Sequence, residues 1–350
     1  MHNLLELDRD GLTRILEQWG QPSFRARQIL TWVYQRHVTD FADMTDLPLD
    51  LRERLVAEMK TGSLSLAHER RSRDGTLKRV YRLDDGQLIE TVLMHYRDRR
   101  RSACISTQAG CALGWIFCAT GEMGFVRHLS AAEIVEQALL LAQELTGRGE
   151  RLSNVVLMGM GEPFHNYDES LKAVRRLMDD LGIGARHITI STVGLVPQIR
   201  RFADEGLQVR LAVSLHAATN ADRSALLPVN RRWPLRELMA ACRDYVRKTG
   251  RRITFEWALI RGETDTMEQA HALGKLLQGL LCHVNAIPLN PTADYAGSPS
   301  SSDEVERFLS ILADYGVRAT VRVRRGIDID AGCGQLRAAV QAKEADSDAL

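Results

Sequence analysis

The sequence predicts an α/β fold, a full or partial (β/α) barrel preceded by a small helical region and a short β-ribbon. Three observations carry this. From about residue 102, short β-rich runs alternate with stretches of helical period, the pattern of parallel strands covered by helices. The most distinctive residues fall just after those runs, at the strand ends where such barrels keep their chemistry. A chain of 350 residues, 45% hydrophobic, is also long enough to fill that core and carry a smaller domain beside it.

Residues 1–61 read as a helical accessory domain. Leu12 to Trp19 and Arg25 to Gln35 have apolar residues at helical spacing, and Asp40 to Glu58 carries turn residues around Pro48. Residues 62–101 read as a basic β-ribbon linker, with strand-like runs from Arg79 and from Leu88 on either side of Asp84-Asp-Gly86, a hairpin signal. Residues 102–337 form the expected barrel. Its strands are Ala103 to Thr107, Asn154 to Met158, His187 to Thr192, Gln208 to Leu215, Arg252 to Ile260, His283 to Leu289 and Val317 to Val323. Its helices are Ala131 to Leu145, Glu169 to Leu181, Leu235 to Lys248 and Glu268 to Gly279. Residues 338–350 are a polar tail, expected to fray.

Charge is balanced overall, with Lys+Arg 46 against Asp+Glu 45, which neither requires nor excludes nucleic acid. The distribution is uneven. Between Ala67 and Arg101 ten basic residues face six acids, and Arg322, Arg324 and Arg325 form a second basic group shortly before Cys333. Six cysteines without a secretory leader point to a reducing compartment. No apolar run is long enough for a membrane span, so the cytoplasm is expected and no membrane partner.

The segment Cys111-Ala-Leu-Gly-Trp115-Ile-Phe-Cys118 has the spacing of a Cys-x3-Cys-x2-Cys loop with an indole in the middle thiolate position. Three such thiolates hold three irons of a four-iron cluster and leave the fourth open. An indole offers only an N–H donor and no lone pair for a metal. Taken alone, Cys111 and Cys118 could equally be packing residues, but Gly110, Gly114 and Gly121 suit a loop that wraps a metal centre.

In order, Cys104-x6-Cys111-x3-Trp115-x2-Cys118, Met158-Gly-Met-Gly-Glu-Pro163, Ser214-Leu-His216 and Arg325-Gly-Ile-Asp-Ile-Asp-Ala-Gly-Cys-Gly-Gln335 resemble the radical-SAM adenine-directed RNA methyltransferases, which act on adenine C2 or C8 of large-subunit rRNA. The likeness runs from the helical N-terminal region to about Leu336. It implies a radical-SAM barrel, S-adenosylmethionine and a 4Fe-4S cluster, with Cys111 and Cys118 as two of the three expected cluster ligands. It also implies that Gly161, Glu162, Ser191, Ser214, Leu215, His216 and Asn290 bind S-adenosylmethionine. Cys333 would be methylated and then give up a hydrogen to a 5′-deoxyadenosyl radical. Its carbon would add to the adenine, Glu90 would accept a proton, and Cys104 would release the product by forming a disulfide with Cys333. The partners implied are rRNA, tRNA for some members, and an electron donor such as flavodoxin or ferredoxin.

The basic groups would then flank the barrel mouth and contact RNA phosphates. Two other readings stand beside this one. A degenerate member would bind RNA but lack radical activity because Trp115 replaces a ligand. A polar, cluster-free methyltransferase is disfavoured by the absence of a Gly-x-Gly-x-x-Gly turn with a following ribose-binding acid. With Trp115 in place, little intact cluster is expected, the indole taking part of its volume.

Overall fold

In the computed structural model, residues 1–290, 292 and 295–336 are described; the polar tail expected at 338–350 lies outside them. One ten-stranded sheet organises the molecule: β1 (Ser65–Arg71), β2 (Leu77–Arg82), β3 (Leu88–His95), β4 (Arg101–Cys104), β5 (Asn154–Leu157), β6 (Ile188–Thr192), β7 (Arg210–Ser214), β8 (Ile253–Leu259), β9 (Cys282–Pro288) and β10 (Ala319–Val321). Spatial order follows chain order throughout. β1 to β4 pair antiparallel and β4 to β10 pair parallel. Among the described residues no pairing returns from β10 to β4, so the arc of seven parallel strands is a partial barrel.

Helices fill each parallel crossover: Ala131–Thr146, Tyr167–Asp179, Val196–Asp204, Leu235–Thr249, Met267–Leu277 and Ser302–Asp314. Covered by these on its outer face and packed within, the sheet is buried on both sides, which is why strands such as Ile253–Leu259 read as nearly continuous apolar runs. Trp257 and Phe308 are fully buried at a strand-helix contact, ring centroids 5.9 Å apart, and the indole N–H of Trp257 donates to the Thr264 carbonyl at 3.0 Å.

The helix Ser302–Asp314 is not among the elements expected from sequence, although its start is written there. Ser301 caps the Glu304 backbone N–H while Glu304 caps Ser301, the reciprocal box signalled by Ser-x-x-Glu. Val196–Asp204 is a second unexpected helix; it is short and has Pro197 in its first turn, where proline is tolerated.

The N-terminal region contributes helices Arg9–Gln18, Phe24–Tyr34 and Leu49–Glu58. It is tied to the barrel by Arg176, which donates to the Leu5 carbonyl and the Tyr34 hydroxyl. Glu136 accepts the Ser63 and Leu64 backbone N–H groups at 2.8 and 3.0 Å. The ribbon strands β1 to β3 extend the barrel sheet directly through β4. Because β3 runs antiparallel to β4, the Tyr96–Arg100 turn between them sits at the N-terminal end of the parallel strands. This corrects the expectation that the ribbon arginines flank the mouth: Arg97, Arg99 and Arg100 lie at the opposite end.

Candidate active site

The C-terminal ends of the parallel strands open into a cavity. Nine of the residues singled out from sequence line it: Cys111, Cys118, Gly161, Glu162, Ser191, Ser214, His216, Asn290 and Cys333. They leave six different strand ends or loops, so the convergence is a product of the barrel topology. Three others do not line it. Leu215 points into the core, fully buried. Cys104 is buried at the end of β4, and Glu90 is buried on β3, where its carboxylate faces the Lys78 ammonium at 3.3 Å.

The strand ends are held by polar groups turned inward. His216 has φ 58°, the left-handed region, and is buried; its Nδ1 accepts the Ala258 N–H at 2.9 Å, which leaves the proton on Nε2. Burial, and then the nearby Arg223, push the imidazole down to about 3, so it is neutral. Arg223 is fully buried and donates to the carbonyls of Val193, Ser214 and Leu215 and to Asn230 Oδ1. One guanidinium thus fixes the ends of β6 and β7. Glu162 accepts the N–H groups of Phe164 and Val193, both at 2.9 Å, and burial pushes its carboxyl up to about 7 against those bonds. Gly161 is required twice: its φ is +97°, and a Cβ would stand 2.5 Å from Gln108 Cβ.

All six cysteines are free thiols. Burial pushes Cys111 up to about 12 and raises Cys118 as well. Cys333 is solvent-accessible on its glycine-flanked turn, yet its thiol is turned against protein and raised by burial, with Arg322 opposing. Cys104 is pushed up to about 12 by burial first and by Cys333 second, which places the two thiols within each other's electrostatic reach. Arg322 faces both; burial opposes its charge, but Cys333, Glu256, Tyr96 and Cys104 together hold its pKa above the ordinary value.

The chain is similar to known proteins along nearly its whole length. Residues 2–60 match the ribosomal RNA large subunit methyltransferase N-terminal domain, and residues 105–273 match the radical SAM superfamily. The dual-specificity RNA methyltransferase RlmN 1 of Myxococcus xanthus is 54% identical, over 97% of this chain and 95% of that protein. The chain belongs to the RlmN family. The probable dual-specificity RNA methyltransferase RlmN of Geobacillus kaustophilus is 46% identical over 98% of this chain and 94% of its own length. A radical SAM methyltransferase from Sphaerobacter thermophilus superposes with a TM-score of 0.93 at 49% identity, covering 97% of this chain and 100% of that one.

Membership in the RlmN family implies S-adenosylmethionine and a 4Fe-4S cluster, and the cavity can be tested for each. The cluster does not fit the residues present. Trp115 lines the cavity between Cys111 and Cys118, its ring 5.8 Å from Phe117 and 5.4 Å from His216, and its indole N–H is buried without a partner. A bulky donor-only group therefore occupies the side of the loop from which a third thiolate would come. Among the described residues no group of three or more His, Cys, Asp or Glu side chains could hold a metal ion.

Two contributors were missed in the sequence. Arg223 belongs to no motif and gave no signal. Glu256 lines the cavity, buried, with Asn285 donating to it at 2.7 Å; a lone carboxylate inside the apolar run Ile253–Leu259 was a readable hint.

Proposed function

We propose that the chain is an adenine-directed RNA methyltransferase of the RlmN kind, acting on rRNA and tRNA, with the thiols of Cys333 and Cys104 as its covalent machinery. One observation carries this: Cys333 stands on the cavity wall beside the strand-end residues while Cys104 lies within its electrostatic reach, in a chain that matches dual-specificity RNA methyltransferases along nearly its whole length.

The chain's own groups have separable tasks in this reading. Gly161, Ser191, Ser214, His216 and Asn290 surround S-adenosylmethionine. Arg322 favours the thiolate of Cys333, the form that accepts a methyl group. Gly332 and Gly334 on either side of Cys333 let it turn toward Cys104 for the closing disulfide. Glu90 accepts a proton, with Lys78 stabilising its charged form. A completed cluster, held by Cys111, Cys118 and a third thiolate, would supply the radical chemistry that the present loop lacks. A flavodoxin or ferredoxin donor accordingly enters only with a completed cluster.

RNA phosphates are met by exposed arginines that have no ion pair among the described residues: Arg97, Arg99, Arg210, Arg252, Arg318 and Arg324. The target adenine leaves its stack to reach the mouth. Among the described residues no helix is long and apolar enough to cross a membrane, and free thiols with an RNA substrate fit the cytoplasm.

A second reading has one specific observation in its favour. Trp115 supports an RNA-binding member without radical activity, whereas the relatives' names support the enzyme. Nucleoside mass spectrometry of rRNA and tRNA transcripts incubated with methyl-labelled S-adenosylmethionine, comparing this chain with Trp115→Cys after iron and sulfide reconstitution, decides between them. Labelled methyladenosine that disappears in Cys333→Ala is expected from the reconstituted variant. Its absence from every RNA with a fully loaded variant would contradict the methyltransferase reading.

A further inference from the structure

The cavity is better equipped for an organic cation than for a metal. Its wall carries three buried polar atoms with no partner: the indole Nε1 of Trp115, Nε2 of His216 and Oδ1 of Asn290. Asn290 is 6% exposed and His216 3%, so neither finds water easily, and leaving such groups unmade is costly. His216 Nε2 and Trp115 Nε1 are donors; Asn290 Oδ1 is an acceptor, because its amide nitrogen already donates to the Cys333 carbonyl at 3.0 Å. The His216 donor and the Asn290 acceptor match the edge of a purine or the hydroxyls of its ribose.

The electrostatics add a second requirement. Glu162 and Glu256 are the carboxylates on the wall, and neither Lys nor Arg lines it. A phosphate-bearing nucleotide would find no cationic side chain on that wall, the nearby Arg322 being held by Cys333 and Glu256 rather than lining it, whereas a positive ligand would meet no like charge there. Trp115 and Phe117 both line the cavity, ring centroids 5.8 Å apart, and aromatic rings bind organic cations without any metal.

We propose that Trp115 converts the cluster end of this cavity into a metal-free site for an adenine nucleoside bearing a positive centre, with S-adenosylmethionine as the ligand and the indole taking the place of iron as the partner of its sulfonium side. The inference rests on the cavity, not on methyl transfer, so the two fail separately.

The test is calorimetric titration of the full chain, stripped of iron with a chelator, against S-adenosylmethionine, S-adenosylhomocysteine and adenosine. S-adenosylmethionine is expected to bind in the absence of metal. S-adenosylhomocysteine, a neutral thioether, should bind about tenfold more weakly and adenosine weaker again. Trp115→Ala should weaken S-adenosylmethionine about tenfold with little change for adenosine, and Trp115→Phe should recover part of the loss; circular dichroism confirms that each variant is folded. Binding that appears only after iron loading would overturn the proposal, as would equal affinity for the sulfonium and the thioether, or an unchanged affinity in Trp115→Ala. Tight metal-free binding by this chain, with no RNA methylation by iron-loaded Trp115→Cys, would leave this inference standing and remove the methyltransferase reading instead.

Discussion

The two ends of the parallel sheet differ in kind. At the C-terminal end, thiols, two buried carboxylates, a neutral imidazole and aromatic rings surround a cavity without a Lys or Arg on its wall. At the N-terminal end, Arg210, Arg252 and Arg318 stand at the starts of β7, β8 and β10, and the Tyr96–Arg100 turn adds Arg97 and Arg99. Those cations are close enough to weaken one another: burial and then Arg252, Arg251 and Arg100 lower the pKa of Arg210. The contrast teaches that chemistry and long-range charge are separated by the length of the strands. The cavity presents carboxylates and aromatic rings, and the far end carries arginines whose field attracts a polyanion.

The largest expected effect breaks the cavity end from within. Arg223→Ala removes a buried guanidinium that donates to the carbonyls of Val193, Ser214 and Leu215, which should cost about 3–5 kcal/mol of stability in urea unfolding. A loss below about 1 kcal/mol would mean the strand ends do not depend on it. A smaller effect sharpens the other end. Arg97→Ala, Arg99→Ala and Arg252→Ala combined should weaken RNA binding by about tenfold or more at low salt, and should flatten the salt dependence by about 0.7–0.9 in log–log slope for each phosphate no longer neutralised. Unchanged affinity would place the RNA wholly on the cavity side.

The smallest effect concerns pH. Burial raises the folded-state pKa of Glu162 from 4.5 to about 7, so the unfolded chain releases this proton first. The contribution of Glu162 to stability is therefore complete below about pH 4.5 and is lost as pH rises through about 7. Melting temperatures of the native chain between pH 5 and 8 should fall more steeply than those of Glu162→Gln. Parallel curves would show that the carboxylate is already ionised at pH 5.

The barrel was legible because each parallel strand is a β-rich run set off by helical stretches. All seven runs expected from Ala103 to Val323 overlap a strand of the sheet. The cavity residues were legible because strand ends such as Met158–Pro163 and Ser214–His216 break the apolar pattern with glycine, serine and histidine. Direction was not legible: nothing in Tyr96–Arg100 says which end of the sheet it caps, since that depends on β3 and β4 pairing antiparallel. Arg223 was hidden for a similar reason. Its partners are backbone carbonyls, which leave no mark in a sequence.

Trp115 is the point on which both ends converge, because it decides whether the cavity holds iron or only an organic ligand. The most direct measurement is an iron and sulfide count after anaerobic reconstitution of the native chain and of Trp115→Cys side by side. Expected is well under one iron per native monomer and about four in the cysteine variant. About four irons in the native chain, with no gain from the cysteine, would contradict the reading of Trp115 and require a ligand beyond Cys111 and Cys118.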